Sequence, residues 1–274
     1  MTLFKETIHR KILQIIEDHA NKITSRDLEK IIVQQISIGR RKFQTALKAL
    51  IAEGELTYTY LYGCTFIEKS FNRPVRVGLQ VILTPPERHP TPSGSDVVVM
   101  LRPGASFGIG QHPTTRLAIQ GIEYAIKTRV CDGASATMLD IGTGSGVLAI
   151  TALKLGIDRA VGTDMDPCAI TEAGENAKIN SLSQRFTVMD IPAEEINGQF
   201  NLIAANLRYP TLARLCPYIA SHIPENGAAI LSGIREEEAE EIKSIYAKLN
   251  LECRWEAIEN RWAGLVLVKQ APAP

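Results

Sequence analysis

The run Asp140-Ile141-Gly142-Thr143-Gly144-Ser145-Gly146 ends a β-type stretch, Thr137–Ile141, and leads into a helical pattern, Val147–Leu155. Three glycines at alternate positions after an apolar strand demand a tight turn whose backbone can approach a ligand closely. Few architectures other than an open α/β sheet supply such a turn. The spacing then discriminates within that class. A dinucleotide site takes Gly-x-Gly-x-x-Gly, and counting from Gly142 and Gly144 the third glycine would fall on Val147. A P-loop needs Gly-Lys-Ser/Thr after four intervening residues, and that is absent. What stands here is an acid at the strand end followed by alternating glycines.

Chemistry explains this third pattern. S-adenosylmethionine has no pyrophosphate for a helix N-terminus to neutralise, but it carries a cationic α-amino group and a sulfonium. Both favour a carboxylate such as Asp140, while Gly142 and Gly144 let the backbone approach where a Cβ would collide. The next strand-type run ends in Asp164, 20 residues after Gly144, the spacing at which an acid grips ribose hydroxyls in a doubly wound sheet. The following one ends at Asp190, placed to accept from an adenine amino group. A lone acid of this kind is usually a solvated loop residue, or a helix cap in the case of Asp166. Three in register at consecutive strand ends predict a cofactor site.

From Thr114 onward, strand-type and helical stretches alternate. Thr114–Lys127, Pro167–Ile179, Thr211–His222 and Glu236–Leu249 read as helices. Ala160–Asp164, Phe186–Met189, Asn201–Ala205 and Ala228–Ser232 read as strands, and Leu251–Ile258 with Trp262–Lys269 as a final pair. Such alternation means a mostly parallel sheet covered on both faces. Residues 106–270 are therefore expected to form the cofactor domain. Residues 71–105 read as a β-rich linker with an alternating run from Val75 to Leu83. Residues 1–70 read as three helices and a hairpin, the layout of a winged helix. Its third helix, Arg40–Ala52, opens with Arg40, Arg41 and Lys42, which suggests nucleic acid. Residues 1–70, however, hold only 11 Lys or Arg against 8 Asp or Glu, and protein contact or homodimerisation is the favoured expectation.

The whole chain carries 30 basic and 30 acidic residues, so no global field points to nucleic acid or to an anionic membrane. Its 5 cysteines are widely spaced with no Cys-x-x-Cys. That excludes a zinc knuckle or a disulfide framework and predicts a reducing compartment, the cytoplasm, with no resident metal. No apolar stretch approaches the roughly 20 residues of a membrane helix.

Upstream of the glycine turn lies Arg102-Pro103-Gly104-Ala105-Ser106-Phe107-Gly108-Ile109-Gly110-Gln111-His112-Pro113-Thr114-Thr115, richer in glycine and hydroxyls than core packing asks for. Asp164-Met165-Asp166-Pro167, Glu175-Asn176-Ala177 with Asn180, Ala205-Asn206-Leu207 and Leu231-Ser232-Gly233-Ile234 accompany it. Together they resemble the PrmA family, enzymes that methylate a stalk protein of the large ribosomal subunit. The likeness runs from about Arg102 to Lys269. It implies a class I methyltransferase fold: a Rossmann-like, doubly wound, seven-stranded sheet with its last strand antiparallel. It also implies that Phe107, Gly108, Gly110 and Thr114 close the cofactor pocket, that Asp140, Gly142 and Gly144 hold the methionine end and Asp164 the ribose, and that Asn206 lies beside the transferring methyl. There are two departures. Ile109 stands where the family usually has Thr, and the family's substrate-docking domain is a ferredoxin-like unit, not a winged helix.

Methyl transfer is an in-line displacement in which charge is dispersed, so alignment and desolvation do most of the catalysis. An amine acceptor must arrive deprotonated, against a free lysine pKa of about 10.4. Asn206 can accept a hydrogen bond from such an amine and aim it. The segment Asn206-Leu207-Arg208-Tyr209-Pro210 is not the Asn/Asp-Pro-Pro-Tyr of base-methylating enzymes. His112 reads as part of the loop's architecture more than as a base, and Trp262 as core or pocket wall. The expected activity is N-methylation of a protein amine, with a ribosomal protein as one acceptor. The alternatives are a small-molecule methyltransferase whose winged helix dimerises, an RNA or DNA methyltransferase, and a non-catalytic sensor of the cofactor.

Overall fold

Isoleucines and leucines at helical spacing organise the N-terminal part of the chain. In the computed structural model, which describes residues 2–18, 23–61, 63–70, 73–102, 104, 112–128 and 135–271, helix α1 (Thr2–Asp18) buries Ile8, Ile12 and Ile15. A short strand β1 (Ile23–Thr24) leads into α2 (Ser25–Ile36), where Thr24 caps the first turn by accepting from the Asp27 N–H at 3.2 Å. Helix α3 (Arg40–Ala52) turns Phe43, Ala46, Leu47 and Leu50 inward. The hairpin β2 (Leu56–Leu61) and β3 (Cys64–Lys69) closes this core with Leu56 and Ile67. β1 pairs antiparallel with β3, giving a small sheet in the order β1-β3-β2. Met1–Arg73 and Pro74–Pro274 are two separate compact units.

The second unit begins with β4 (Val75–Arg76), β5 (Val81–Thr84) and β6 (Val97–Met100). The alternating run expected from Val75 to Leu83 is thus broken in two. The cause is Glu123 on helix α4 (Pro113–Lys127), a buried carboxylate that accepts from the N–H groups of Leu79, Gln80 and Val81 at 2.7–2.9 Å and pulls residues 78–80 into a turn. A Cβ on Gly78 would lie 2.3 Å from that carboxylate, so only glycine fits. The stretch read as a linker is a small sheet whose Val77, Val81, Leu83 and Val99 join the main core.

The large sheet follows: β7 (Thr137–Ile141), α5 (Val147–Lys154), β8 (Arg159–Thr163), α6 (Pro167–Ile179), β9 (Phe186–Met189), β10 (Leu202–Asn206), α7 (Tyr209–His222), β11 (Ala228–Arg235), α8 (Ala239–Ala247), β12 (Leu251–Glu259) and β13 (Trp262–Lys269). Its order is β12-β13-β11-β10-β7-β8-β9. β11, β10, β7, β8 and β9 are parallel, and β13 runs antiparallel between β11 and β12. Because side chains alternate along each strand, the sheet feeds two cores. Met138, Ala204, Ile230 and Val266 meet α4, α5 and α6 on one face, while Leu139, Ile203, Leu231 and Leu267 meet α7 and α8 on the other. This is the class I methyltransferase sheet that the resemblance implies. None of the helices among the described residues is long and apolar enough to cross a membrane.

Removing the Glu123 carboxylate strands three backbone donors in a buried site. Glu123→Ala is expected to lower the unfolding free energy by about 3 kcal/mol, read as a reduced urea midpoint with an unchanged slope.

Candidate cofactor and acceptor site

The glycine turn takes its shape from one carboxylate. Asp140, the fourth residue of β7, has no solvent exposure. Its Oδ2 accepts from the Thr143 hydroxyl at 2.8 Å and from the Ala149 N–H at 3.2 Å, which ties the turn to the first residues of α5. Its Oδ1 is buried with no hydrogen-bond partner among the described residues. Burial holds the Asp140 carboxyl up at about 6, with the nearby Asp164 adding to the rise and the two donors opposing it. An orphaned carboxylate oxygen at a strand end is what an incoming ammonium would satisfy, so this site fits the methionine end of S-adenosylmethionine. Gly142, Gly144 and Gly146 all have positive φ, at 70°, 54° and 78°. At Gly142 a Cβ would also lie 2.8 Å from Leu207.

Asp164 follows β8 directly. One oxygen accepts from the Gly144 N–H at 2.9 Å and the other from the Asp166 N–H at 3.1 Å, so this half-buried acid joins the glycine turn to the β8–α6 connection. Asp166 caps α6, accepting from the Cys168 N–H at 2.8 Å. Asp190 is exposed just beyond β9. Asp140, Asp164 and Asp190 therefore stand at the ends of three adjacent parallel strands.

Two asparagines whose role the sequence left unassigned fasten the loop upstream of α4. The Asn176 side chain accepts from the Arg102 N–H at 3.0 Å and donates to the Ser145 carbonyl at 2.9 Å. The Asn180 amide accepts from the Met100 N–H at 3.0 Å and donates to its carbonyl at 2.7 Å. Residues 100–102, where the glycine-rich loop begins, are thereby bound through α6 to the glycine turn. Phe107, Gly108 and Gly110 lie outside the described residues. Thr114 is buried, and the cap of α4 is His112 rather than Thr114, its Nδ1 accepting from the Thr114 N–H at 3.3 Å. Burial, then the guanidiniums of Arg116, Arg235 and Arg208, hold the His112 imidazole down at about 4. It is neutral near pH 7 and serves as an architectural acceptor.

Asn206 ends β10 opposite Ser232 of β11, whose hydroxyl is buried without a hydrogen-bond partner among the described residues. The next residues are locked by a close approach. The Leu207 N–H donates to the Ser232 carbonyl at 3.0 Å, and a Cβ on Gly233 (φ 83°) would fall 2.4 Å from the Leu207 carbonyl oxygen. That contact explains the glycine in Leu231-Ser232-Gly233-Ile234. Trp262, 9% exposed, pairs with Arg235 across the β11–β13 ladder. Its ring lies edge-on to His112, with centroids 5.0 Å apart. The described residues contain no cluster suited to a metal ion.

Comparison with known proteins agrees with this geometry. The sequence model of ribosomal protein L11 methyltransferase (PrmA) matches residues 66–270. A ribosomal protein L11 methyltransferase of Pelobacter propionicus is 35% identical over 205 residues, covering 73% of this chain and 65% of that protein. One from Laribacter hongkongensis is 37% identical over 174 residues, 64% of this chain and 56% of that one. The chain thus spans less than two thirds of these relatives' length. The crystal structure of a ribosomal protein L11 methylase from Lactobacillus delbrueckii subsp. bulgaricus matches with a TM-score of 0.65 and 31% identity, covering 73% of this chain and all of that one.

The raised Asp140 carboxyl has a pH consequence. An ammonium partner requires the ionised acid, so affinity for S-adenosylhomocysteine is expected to be level above pH 6. Below about pH 6 it should fall, approaching tenfold per unit. Asp140→Asn should weaken binding and flatten that limb; a wild-type profile level down to pH 4.5 by calorimetry would remove Asp140 from the site. In the unliganded protein the sign is opposite. A folded-state value above the ordinary carboxylate value contributes stability below pH 3.8 that is lost as pH rises through about 6.

Proposed function

Because the chain belongs to the ribosomal protein L11 methyltransferase (PrmA) family, we propose that it is an S-adenosylmethionine-dependent N-methyltransferase acting on a protein amine, a lysine or an N-terminal amine. The observation that carries this reading is the meeting of two features at the sheet's C-terminal edge. The unpartnered Asp140 oxygen awaits a cation on β7, and the Asn206 amide ends the neighbouring strand β10. The cofactor supplies an electrophilic methyl with a neutral thioether as leaving group. Asp140 and the glycine turn hold the methionine end, Asp164 and Asp190 face the nucleoside, and Phe107, Gly108, Gly110 and Thr114 belong to the segment that covers it. Asn206, with no hydrogen bond from its side chain among the described residues, accepts from the acceptor amine and points its lone pair at the methyl. It positions the nucleophile and removes no proton.

A ribosomal protein is the acceptor the family suggests, and the cytoplasm is the compartment it implies. The described cysteines Cys64, Cys168, Cys216 and Cys253 are free thiols, in keeping with reducing surroundings. The first unit lies almost wholly outside the family match, which begins at residue 66, and is where acceptor choice would depart from the family. Its helix and strand order, α1-β1-α2-α3-β2-β3, supports a winged-helix reading, and a protein partner or a second copy of this chain is the favoured contact. Methylation of RNA has its own supporting feature, the exposed Tyr58 and Tyr60 on the hairpin together with Arg40, Arg41 and Lys42 on α3.

Transfer of a tritiated methyl group into a fractionated extract decides among these acceptors. Label is expected in proteinase-sensitive, nuclease-resistant material. Label that survives proteinase and is lost to nuclease would transfer the activity to nucleic acid. Asp164→Ala removes both the ribose acid and the acceptor of the Gly144 N–H, and should weaken cofactor binding by a hundredfold or more, about 3 kcal/mol.

A further inference from the structure

Beside Asn206, two arginines converge on one indole. The Arg235 guanidinium carbon lies 3.7 Å from the Trp262 ring centroid, and that of Arg208 lies 5.6 Å from it. Arg208 arrives there because Leu207 is pressed onto Gly233, which carries the chain after β10 against the end of β11. Neither guanidinium has a carboxylate partner among the described residues. The nearby acids are committed elsewhere. Glu238 accepts from the Arg235 backbone N–H at 2.8 Å, Glu237 faces Arg261 at 3.7 Å, and Glu259 is bound by Arg116. Glu236 is exposed. Arg208 is also the N-cap residue of the 14-residue helix α7, whose first turn no side chain caps. Two guanidiniums thus lie within about 6 Å of one indole centroid, next to a helix start that no side chain caps among the described residues. They bring ten guanidinium N–H donors to a place where no acceptor among the described residues takes them. That arrangement is complementary to a carboxylate.

We propose that Arg208 and Arg235, stacked on Trp262, form a carboxylate subsite that selects acceptor amines flanked in sequence by Asp or Glu. This rests on the reading of a protein acceptor, and it adds a substrate rule to it. The pair also serves the chemistry. Two guanidiniums beside the acceptor disfavour an ammonium there, as they do for the His112 imidazole, so the amine is presented neutral while its flanking carboxylate provides the attachment.

A binding measurement on the full chain tests this without depending on turnover. Trp255 and Trp262 are the two tryptophans, so Trp255→Phe leaves Trp262 as the single indole reporter. In that background, saturated with S-adenosylhomocysteine, N-acetyl-Gly-Asp-Lys-Asp-Gly-amide is compared with its Asn-Lys-Asn counterpart. The acidic peptide is expected to quench Trp262 and bind about tenfold tighter or more. Arg208→Gln with Arg235→Gln should reduce that advantage to less than about twofold while neutral-peptide affinity holds. Arg208→Gln alone, at an exposed position, should remove part of it even where the double variant folds poorly. Equal affinity for the two peptides in the reference protein would overturn the proposal. A single-stranded RNA oligonucleotide that outcompetes the acidic peptide and loses that hold in the same variants would also overturn it, assigning the subsite to phosphate. Failure of methyl transfer into protein would sink the protein-acceptor reading, which this binding comparison does not measure.

Discussion

The cofactor side of this protein is organised by a carboxylate that water cannot reach. Asp140 binds Thr143 and Ala149 through one oxygen, so the turn between β7 and α5 has little freedom to relax. Its other oxygen has no partner among the described residues, and burial raises the carboxyl to about 6. A buried acid in this state favours whichever species brings a cation. The turn's left-handed glycines and the bond from the Gly144 N–H to Asp164 complete the same tight arrangement.

Much of this was legible from residues alone because local chemistry dictated it. Alternate glycines after a strand, acids at strand ends and the switch between two hydrophobic periods depend on neighbours in sequence. The strand and helix order of the second unit follows from them to within a few residues. The places where sequence reading fell short are those decided by distant residues. Nothing in Val75–Leu83 announces a turn at 78–80, because the carboxylate that imposes it comes from Glu123, more than 40 residues on. Similarly, the cap of α4 is the His112 ring, which accepts from the Thr114 N–H only because its surroundings keep it neutral. Phe107, Gly108 and Gly110 lie outside the described residues, and their part in the site rests on the family likeness.

The asparagines on α6 illustrate a motif whose meaning required three dimensions. Asn176 and Asn180 lie one helical turn apart, so both reach the same side. There they hold Met100 and Arg102, the exit of β6, while Asn176 also holds Ser145. A side-chain amide suits this job because it offers an acceptor and donors at once, matching a backbone N–H on one strand and a carbonyl on another. Their effect is to set Met100 to Arg102, the root of the glycine-rich loop, against the glycine turn.

Charge along the sheet's C-terminal edge is sorted, and the chain's net neutrality conceals it. In spatial order β13-β11-β10-β7-β8-β9, Asp140, Asp164 and Asp190 occupy the β7–β9 half, whereas Arg208 and Arg235 occupy the β10–β11 half over Trp262 of β13. Asn206, an uncharged amide, stands between them. Such an edge suits a cationic cofactor on one side and offers guanidinium donors on the other. In the reading proposed above, an amine approaching Asn206 would first release its proton to solvent, or arrive with a carboxylate of its own. The field supplies a discrimination that the amide cannot, since a side-chain carbonyl accepts from an ammonium and from a neutral amine alike. In that reading orientation and protonation state are governed by different residues, so a change to the arginines should alter which amines are accepted and leave Asn206 in place.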